Sequence, residues 1–385
     1  MNRIKICVVI TASSHLWGLY RDQFLYLQKN GFDVTAIAAP GPEHEVLKNH
    51  GITTVAIPMK KTPAPLYDLL SLFRFVFFFL THRFDVVSVS TPKASLLAGL
   101  GAFLTLQKKI IFTLRGRAYE NKTGLSRKFF EVIDRIICAM SDSVFSISYE
   151  LMDDFVSKGI CHQDKIFVIG SGSSNGVDLS RFTRTEALVT KAKAVRDELC
   201  IPMNAICVLY SGRIRKDKGI NELVEAFLEV SKLSNIVHLL IQGSIDSIDP
   251  LKPEVLSEIE NNPLIHRADW CEDVEKYFAA ADIFAFPSHR EGFGNVAIEA
   301  SSMELPVVAF DVVGCRESVQ DGETGILCKK IDSQCLAEKL LYLIDNSDVR
   351  YAMGKKGRAR VEREFQSTKI WDDLILIYRR LASSD

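Results

Sequence analysis

The chain has 385 residues, with 47 basic and 48 acidic side chains, and 47% of its residues are hydrophobic. This composition excludes a disordered, collagen-like or disulfide-scaffold protein, and the length predicts two or three domains that each bury a core. The nine cysteines form no CxxC pair and no Cys/His cluster with zinc spacing. We therefore expect reduced cysteines in a cytoplasmic protein, with no signal peptide and no membrane-spanning helix.

The first part of the chain alternates short β-branched runs with helical stretches, which predicts a parallel sheet with crossover helices. The predicted strands are residues 5–10, 34–38, 54–57, 86–90, 109–114, 143–146 and 166–169. The predicted helices are residues 18–30, 66–81, 93–106, 127–140 and 148–158. Small turn residues fill the next segment, 171–178, and indicate a domain boundary.

A second series of strands follows that boundary. Its members are residues 205–210, 237–242, 264–267, 283–286, 307–309 and 325–327. Two such series predict an α/β protein with two doubly wound, Rossmann-like domains, residues 1–172 and 173–367, facing a cleft. Residues 368–381 carry apolar side chains at helical spacing, and we expect a final helix here, reaching to about 385, that packs back on the first domain. Ligands of such sheets bind in the loops that follow strands.

The loop after the predicted strand 283–286 contains two glycines and precedes a helix that opens at about Asn295. The unpaired amides at a helix start attract an anion such as a diphosphate. Glu291 lies in this loop and Glu299 in the helix, on the order of 10 Å apart, which is too far to share a proton. They are better placed to hold opposite ends of an elongated ligand such as a nucleotide sugar. The alternative is a helix-terminal acid and a solvated glutamate.

A cluster of four cations follows the predicted strand 205–210: Arg213, Arg215, Lys216 and Lys218. Cations at the end of a strand suit the neutralisation of a diphosphate. The alternative is a solvated basic loop, and we favour that interpretation for Arg215 and Lys216.

Four motifs in order now identify a resemblance that spans the chain: NGVDLSRF, SGRIRKDKG, EGFGNVAIEAS and PVVAFDVVGCRESVQDGETG. Together they resemble the retaining glycosyltransferases of family 4, which have the GT-B fold. The first half resembles a bacterial subgroup that acts on polyprenyl-diphosphate-linked sugars in capsule, O-antigen and glycan-precursor assembly. The segments that carry this second resemblance are GFDVTAIAAPG, STPKASLLAGLGA, RGRAYENKTGLSRK and GSGSSNGVD.

The resemblance implies a UDP-sugar donor, carrying a hexose or N-acetylhexosamine, and front-face transfer with retention. It implies catalytic roles for Glu291, Lys218 and Arg213. It implies a donor site formed by Glu299, Phe293, Gly294, Asn295, Gly212 and Asp269. It implies a site for a lipid-linked saccharide acceptor, where we place Ser14, His15, Lys93, Arg115 and Arg117.

The sequence departs from the family pattern at three places, of which the first two bear on acceptor and phosphate contacts and the third on a turn. The first loop lacks the usual Gly-Gly, Arg115 and Arg117 stand where many members have histidine, and Glu304 replaces a glycine. No Asp-x-Asp occurs in the sequence, so we expect neither a metal nor another cofactor, with protein cations neutralising the leaving UDP.

Charge is divided unevenly along the chain. Residues 1–175 carry 20 basic and 14 acidic side chains, whereas residues 176–385 carry 27 and 34. Residues 60–128 alone hold 12 basic and three acidic side chains together with the Phe-rich helical stretch 66–80. Basic plus apolar surface predicts a peripheral protein on the inner leaflet of the cytoplasmic membrane, and no nucleic-acid partner. The alternative is a buried crossover helix with scattered lysines.

Two other functions remain open at this point. A UDP-sugar 2-epimerase shares the GT-B fold but needs no acceptor, and a non-catalytic protein would bind a sugar without chemistry. A dinucleotide oxidoreductase would carry GxGxxG after the first strand, and TASSHLWG does not supply it.

Overall fold

A computed structural model describes residues 3–60, 62–117, 119, 123–234, 236–247 and 249–384. Part of the RGRAYENKTGLSRK motif and two of the 12 basic residues counted above, Lys61 and Lys122, lie outside the described residues. The chain divides into two compact units, Met1–Asn175 with Thr368–Asp385, and Gly176–Ser367. The division falls three residues beyond the expected boundary at 172/173.

The first unit contains a seven-stranded, all-parallel sheet in the order β3-β2-β1-β4-β5-β6-β7. The strands are β1 Ile4–Val9, β2 Phe32–Ala38, β3 Thr53–Ala56, β4 Val86–Ser90, β5 Ile110–Leu114, β6 Ser143–Ser146 and β7 Ile166–Val168. The helices are α1 Ser13–His15, α2 Arg21–Lys29, α3 Glu43–Asn49, α4 Pro65–Thr81, α5 Pro92–Leu104, α6 Gly124–Met140 and α7 Tyr149–Ser157. A π-helical turn, Leu16–Tyr20, joins α1 to α2, and a 3₁₀ turn, Gln163–Lys165, precedes β7.

The second unit contains a six-stranded parallel sheet in the order β10-β9-β8-β11-β12-β13. The strands are β8 Ile206–Ser211, β9 Val237–Gln242, β10 Ile265–Ala268, β11 Ile283–Phe286, β12 Val307–Phe310 and β13 Gly325–Cys328. The helices are α8 Glu186–Glu198, α9 Ile220–Leu233, α10 Pro253–Asn261, α11 Glu275–Ala280, α12 Asn295–Ser302, α13 Cys315–Ser318, α14 Ser333–Asp345 and α15 Ser347–Glu364. A 3₁₀ turn, Lys216–Lys218, leads into α9.

These elements confirm the predicted doubly wound α/β architecture. Each predicted strand is present within a few residues, because β-branched runs buried on both faces are a local signal. The predicted helix 18–30 is interrupted, since its first residues form the π-helical turn and regular α-helix begins at Arg21. The short helix α3 was not predicted.

The last helix of the chain, α16, spans Ser367–Ser383. Its buried stripe includes Ile370, Leu374 and Tyr378, and it packs on the first unit. The hydroxyl of Tyr26 in α2 donates to Asp372 at 2.7 Å, and the ring of Tyr378 lies 6.3 Å from that of Phe32. Apolar spacing alone predicted this helix, because only one face of it is buried.

Candidate functional site

In the second sheet, the strand order reverses between β8 and β11, which are hydrogen-bonded neighbours. The connections that follow these two strands run to opposite faces of the sheet. The loops after the strands therefore leave a crevice at the carboxyl edge of the sheet. The loop after β8 carries Arg213 and Lys218, and the loop after β11 carries Glu291. The topology therefore brings together the three residues for which we predicted catalytic roles, at the usual ligand position of such a sheet.

Lys218 and Glu291 form an ion pair across these loops. The Nζ of Lys218 lies 2.5 Å from the Oε1 of Glu291 and 3.5 Å from the Oγ of Ser288. The two charged side chains are only 16% and 18% exposed. A charge pair with little water around it interacts more strongly than one on an open surface. The ammonium group is thus held at a fixed point of the crevice.

Asp217, next to Lys218, ties the same two loops together. Its buried carboxylate accepts hydrogen bonds from Arg215 and, at 3.1 and 3.3 Å, from Arg290 beside Glu291. Its carbonyl accepts from the backbone N–H of His289 at 3.0 Å. Burial alone would raise the pKa of Asp217, but the hydrogen bonds from the two guanidinium groups outweigh it and lower the pKa to about 2.

The backbones of these loops also approach closely. Gly219 has φ +71, and a Cβ at this position would lie 1.9 Å from the carbonyl oxygen of Pro287. Only glycine fits such a position, both for its left-handed conformation and for the missing side chain. The place of Lys218 relative to the β11 loop is therefore fixed by main-chain packing as well as by Asp217.

The remaining cations of the β8 loop differ in their surroundings. The side chain of Arg213 is 62% exposed, with Nη1 3.9 Å from Asp246, and its carbonyl accepts from the Tyr210 hydroxyl at 2.7 Å. Lys216 is exposed, as we predicted, and so is Gly212. The solvated interpretation of Arg215 was wrong, because its guanidinium is 13% exposed and bonds to Asp217.

Glu299 lies in the second turn of α12 and is partly exposed. Burial raises its pKa to about 7, the nearby Arg181 opposes that rise, and Glu275 adds to it. Arg181 itself forms an ion pair with Glu275 at 2.9 Å. Glu299 is thus a carboxyl group whose charge changes near neutral pH.

The amides at the start of α12 are less available than the sequence suggested. The N–H of Gly294 donates to the Gly314 carbonyl at 3.3 Å, and the N–H of Asn295 donates to the Phe293 carbonyl at 2.9 Å. Phe293 is buried, with its ring 5.6 Å from that of Phe365. Neither acceptor belongs to α12, so these amides have no partner inside their helix, as expected, but carbonyls outside the helix already accept from them. A phosphate that binds them has to replace the internal acceptors.

The loop after β10 lies at the same edge of the second sheet. Asp269 is exposed and forms a 2.7 Å ion pair with Arg267, and its carbonyl accepts from the buried Gln242 at 3.2 Å. Trp270 beside it is 65% exposed. Trp270 belongs to the strand-end segment 268–271, which the family resemblance implies would flank the base of the donor.

In the first unit, the strand order reverses between β1 and β4. The hydroxyls of Thr11 and Thr91, which follow these strands, lie 2.7 Å apart. Thr91 has φ +70 and ψ 141, a region that is rare outside glycine and that costs on the order of 1–3 kcal/mol. Ser14 and His15 are exposed at the first turn after β1.

The three predicted acceptor cations occupy different places. Arg115 donates to Ser90 at 3.0 Å and to the Tyr20 hydroxyl at 2.9 Å, beside this reversal point. Lys93 forms an ion pair with Asp68 at 2.8 Å. Arg117 pairs with Asp154 of α7 at 2.9 Å. Lys93 and Arg117 therefore face protein carboxylates, and a ligand phosphate must compete with those carboxylates for them.

Across the described part of the chain, no group of three or more His, Cys, Asp or Glu side chains is arranged to hold a metal ion. None of the described helices is both long and apolar enough to cross a bilayer.

Two family profiles match the chain. Residues 21–181 match "Glycosyltransferase Family 4", and residues 192–360 match "Glycosyl transferases group 1". A capsular polysaccharide biosynthesis glycosyltransferase, CapM of Staphylococcus aureus, is 32% identical over 380 residues, which cover 98% of this chain and 97% of CapM.

Solved structures share the architecture at lower identity. Anabaena HepE in complex with UDP and glucose matches with a TM-score of 0.80 and 19% identity over 99% of this chain and all of HepE. A putative UDP-N-acetylglucosamine 2-epimerase from Listeria monocytogenes matches with a TM-score of 0.68 and 17% identity, over all of this chain and 98% of the epimerase.

Proposed function

This chain belongs to the glycosyltransferases of group 1 and family 4 and has the GT-B fold, and from that premise we propose that it transfers a hexose or N-acetylhexosamine from a UDP-sugar to a lipid-linked saccharide in surface polysaccharide assembly. The observation that carries the proposal is the ion pair of Lys218 with Glu291 at the β8/β11 reversal, with the mostly exposed Arg213 in the same β8 loop. The relative CapM, named for capsular polysaccharide biosynthesis, supports this kind of product. HepE, solved with UDP and glucose, supports the donor class.

The donor diphosphate is the group that these cations fit. Lys218 is a point charge held in place by Ser288 and Glu291, and Arg213 has a mostly exposed guanidinium that can bind phosphate oxygens in a bidentate manner. As the bond to the sugar breaks, negative charge grows on the leaving phosphate, and cations already in position stabilise it without reorganisation. The enzyme thereby needs neither a metal ion nor another cofactor at this step.

Glu291 and Glu299 bind the two ends of the donor in this proposal. Glu299 accepts the ribose hydroxyls, and Glu291 contacts the sugar beside the diphosphate. Transfer proceeds with retention of the anomeric configuration, and the acceptor hydroxyl loses its proton to the leaving diphosphate. The acceptor binds at the carboxyl edge of the first sheet, near His15 and Arg115, and the enzyme works as a peripheral protein on the inner leaflet of the cytoplasmic membrane.

A panel of UDP- and GDP-sugars in a thermal-shift assay tests the donor. The stabilising sugars are then supplied with polyprenyl-diphosphate-linked saccharides, and NMR of the product reads the anomeric configuration. We expect stabilisation by a UDP-sugar, and transfer that persists in EDTA. If no nucleotide sugar stabilises the protein, the donor assignment is wrong. Turnover of UDP-N-acetylglucosamine without any acceptor would instead indicate an epimerase.

A further inference from the structure

Exposed apolar side chains are concentrated on one part of the first unit. Within the described residues, 24 large hydrophobic side chains are exposed, and 13 of them lie between residues 66 and 136: 12 on α4, α6 and the end of α5, and Leu106 just after α5. Single exposed apolar residues are ordinary, whereas a concentration of this kind marks an interaction surface. The three helices are neighbours, since α5 packs against both α4 and α6.

Helix α4 supplies the largest share of this surface. Its opposite side faces the core through Phe75 and Phe79, both fully buried. Gly101 of α5 packs so closely on Phe75 that a Cβ there would lie 2.9 Å from the Phe75 Cβ. The outward side carries Leu66, Leu69, Leu70, Phe73, Phe77 and Leu80, which are 48–87% exposed. The helix is therefore apolar both toward the core and toward solvent.

Helix α6 repeats the arrangement. Leu125, Phe129, Val132 and Ile136 recur at helical spacing and are 43–86% exposed, while Ile137 and Cys138 of the same helix are buried. We call the outward surface of α4, α6 and the last turn of α5 the α4–α6 face.

The charges on this face are of one sign. Among the described residues of these helices, the exposed charged side chains are Arg74, Lys128 and Arg135. The carboxylates there are engaged or buried: Asp68 pairs with Lys93, Glu131 pairs with Arg127 at 3.0 Å, and Asp134 is buried. The fitting partner is apolar inside and negatively charged at its surface, which describes an anionic lipid leaflet.

We propose that the α4–α6 face is the surface by which this protein lies on an anionic membrane, with α4 and α6 inserted sideways into the headgroup region. The position of the helices relates this docking to acceptor binding, and that relation rests on the proposed function. Helices α4, α5 and α6 follow β3, β4 and β5, so their first turns stand at the carboxyl edge of the sheet. Leu66 and Leu125 thus enter the leaflet beside the proposed acceptor region, and a lipid-linked acceptor keeps its chain in the membrane.

Flotation with vesicles tests the docking surface. Wild-type protein is mixed with vesicles of equal parts phosphatidylglycerol and phosphatidylcholine, or of phosphatidylcholine alone, at low and high salt. The double variant Phe73→Ser/Phe77→Ser removes apolar contacts, and Leu233→Ser/Leu376→Ser is its control, because those leucines are 74% and 61% exposed elsewhere. Equal unfolding temperatures establish that each variant is folded.

We expect wild type and control to float with the anionic vesicles at low salt, and the Phe variant to lose more than about tenfold in binding. Arg74→Gln and Lys128→Gln each lower binding about fivefold. Wild type that stays at the bottom of the gradient, or a Phe variant that floats as well as wild type, overturns the proposal. So does a Phe variant that only dissociates a homodimer, since the face then belongs to a second copy of the chain.

A transfer assay separates this inference from the proposed function. With a short-chain, water-soluble acceptor, the Phe variant keeps wild-type turnover, and with a long-chain acceptor in vesicles it loses turnover. Wild-type protein that floats but transfers sugar to neither acceptor supports the docking surface and contradicts the proposed function. If the Phe variant loses turnover equally with both acceptors, the loss is not caused by failure to dock on the membrane.

Discussion

The Nζ of Lys218 lies 2.5 Å from the Oε1 of Glu291, and the two residues belong to loops that leave the neighbouring strands β8 and β11. A donor diphosphate that reaches Lys218 therefore competes with Glu291 for the same ammonium group. Binding of donor and rearrangement of this ion pair are coupled by that geometry.

The first prediction concerns the lysine. Lys218→Ala removes a cation that is held where the leaving phosphate develops charge, and we expect kcat/KM for the donor to fall by at least about 100-fold. Lys216→Ala, in the same 3₁₀ turn but exposed, is the control and keeps activity within about twofold. Steady-state kinetics with varied UDP-sugar measure both. Equal effects of the two substitutions would mean that Lys218 contributes only to the overall positive potential of the loop. A specific contact with the leaving phosphate would then be excluded.

The second prediction concerns its partner. Glu291→Gln keeps the shape of the side chain but removes the charge that competes for Lys218. We expect UDP to bind at least as tightly as to wild type, while sugar transfer falls by about 100-fold or more. Isothermal titration of UDP, beside turnover measurements on the same preparation, separates the two effects. Loss of UDP affinity in this variant would contradict the competition between Glu291 and the diphosphate.

Asp217 gives the third prediction. Asp217→Asn removes the buried charge that faces Arg215 and Arg290 and leaves those guanidinium groups without their carboxylate, which costs about 3–5 kcal/mol of stability. Because Asp217 positions the two loops and does not itself face the donor in our proposal, kcat should fall more than KM rises. Asp217→Glu, which keeps the charge, should recover part of kcat. An unchanged kcat in a folded Asn variant would rule out the positioning role.

The sequence predicted the two donor loops but not how they are joined. β-branched runs, Pro287 and the nearby glycines are local signals, so the strands and the loops after them could be located. The pairing of Lys218 with Glu291 depends on β8 and β11 being adjacent, which no local signal reports. Asp217 was not singled out in the sequence, and Arg215 was misjudged, because the burial of a charge depends on residues such as Arg290 that are distant along the chain.

Helix α4 illustrates a similar limit. A run of apolar residues predicts either a buried helix or one that meets a membrane, and the spacing of Phe73, Phe75, Phe77 and Phe79 fits both. The structure buries Phe75 and Phe79 and exposes Phe73 and Phe77. Which side faces solvent follows from the packing of α5, where small residues such as Gly101 allow close approach, and not from the hydrophobicity of α4.

Glu299 gives a prediction about pH. Its pKa of about 7 means that the carboxylate forms as the pH rises from 6 to 8, and the ionised group accepts hydrogen bonds from ribose hydroxyls more strongly than the neutral acid. UDP affinity of the wild type should therefore rise over this interval, relative to Glu299→Gln. The Gln variant is the matched control, because titration of UDP itself affects both proteins equally. Parallel pH profiles would contradict the ribose assignment.

The last prediction concerns the stability of the first unit. Asp134 of α6 is buried, and burial, with a smaller contribution from Glu131, raises its pKa to about 7. The unfolded chain releases this proton near pH 4, so between about pH 4 and 7 the folded state binds more protons than the unfolded state. The free energy of unfolding must then fall as the pH rises through this window, by at most about 4 kcal/mol from this group. Above pH 7 the buried carboxylate is charged, and the free energy of unfolding falls no further through this group.

Asp134→Asn removes this titration while keeping the shape of the side chain. We expect the variant to unfold at a higher temperature than wild type at pH 8 and to show a flatter dependence on pH, with a gain of about 1–3 kcal/mol at pH 8. Asp153→Asn, at an exposed position of α7, is the control and should follow wild type. Thermal and urea unfolding at pH 6 and pH 8 provide the measurement. A variant that is less stable than wild type at pH 8 would mean that the Asp134 carboxylate has compensating partners in the folded protein, and that its burial is not the cause of the pH dependence.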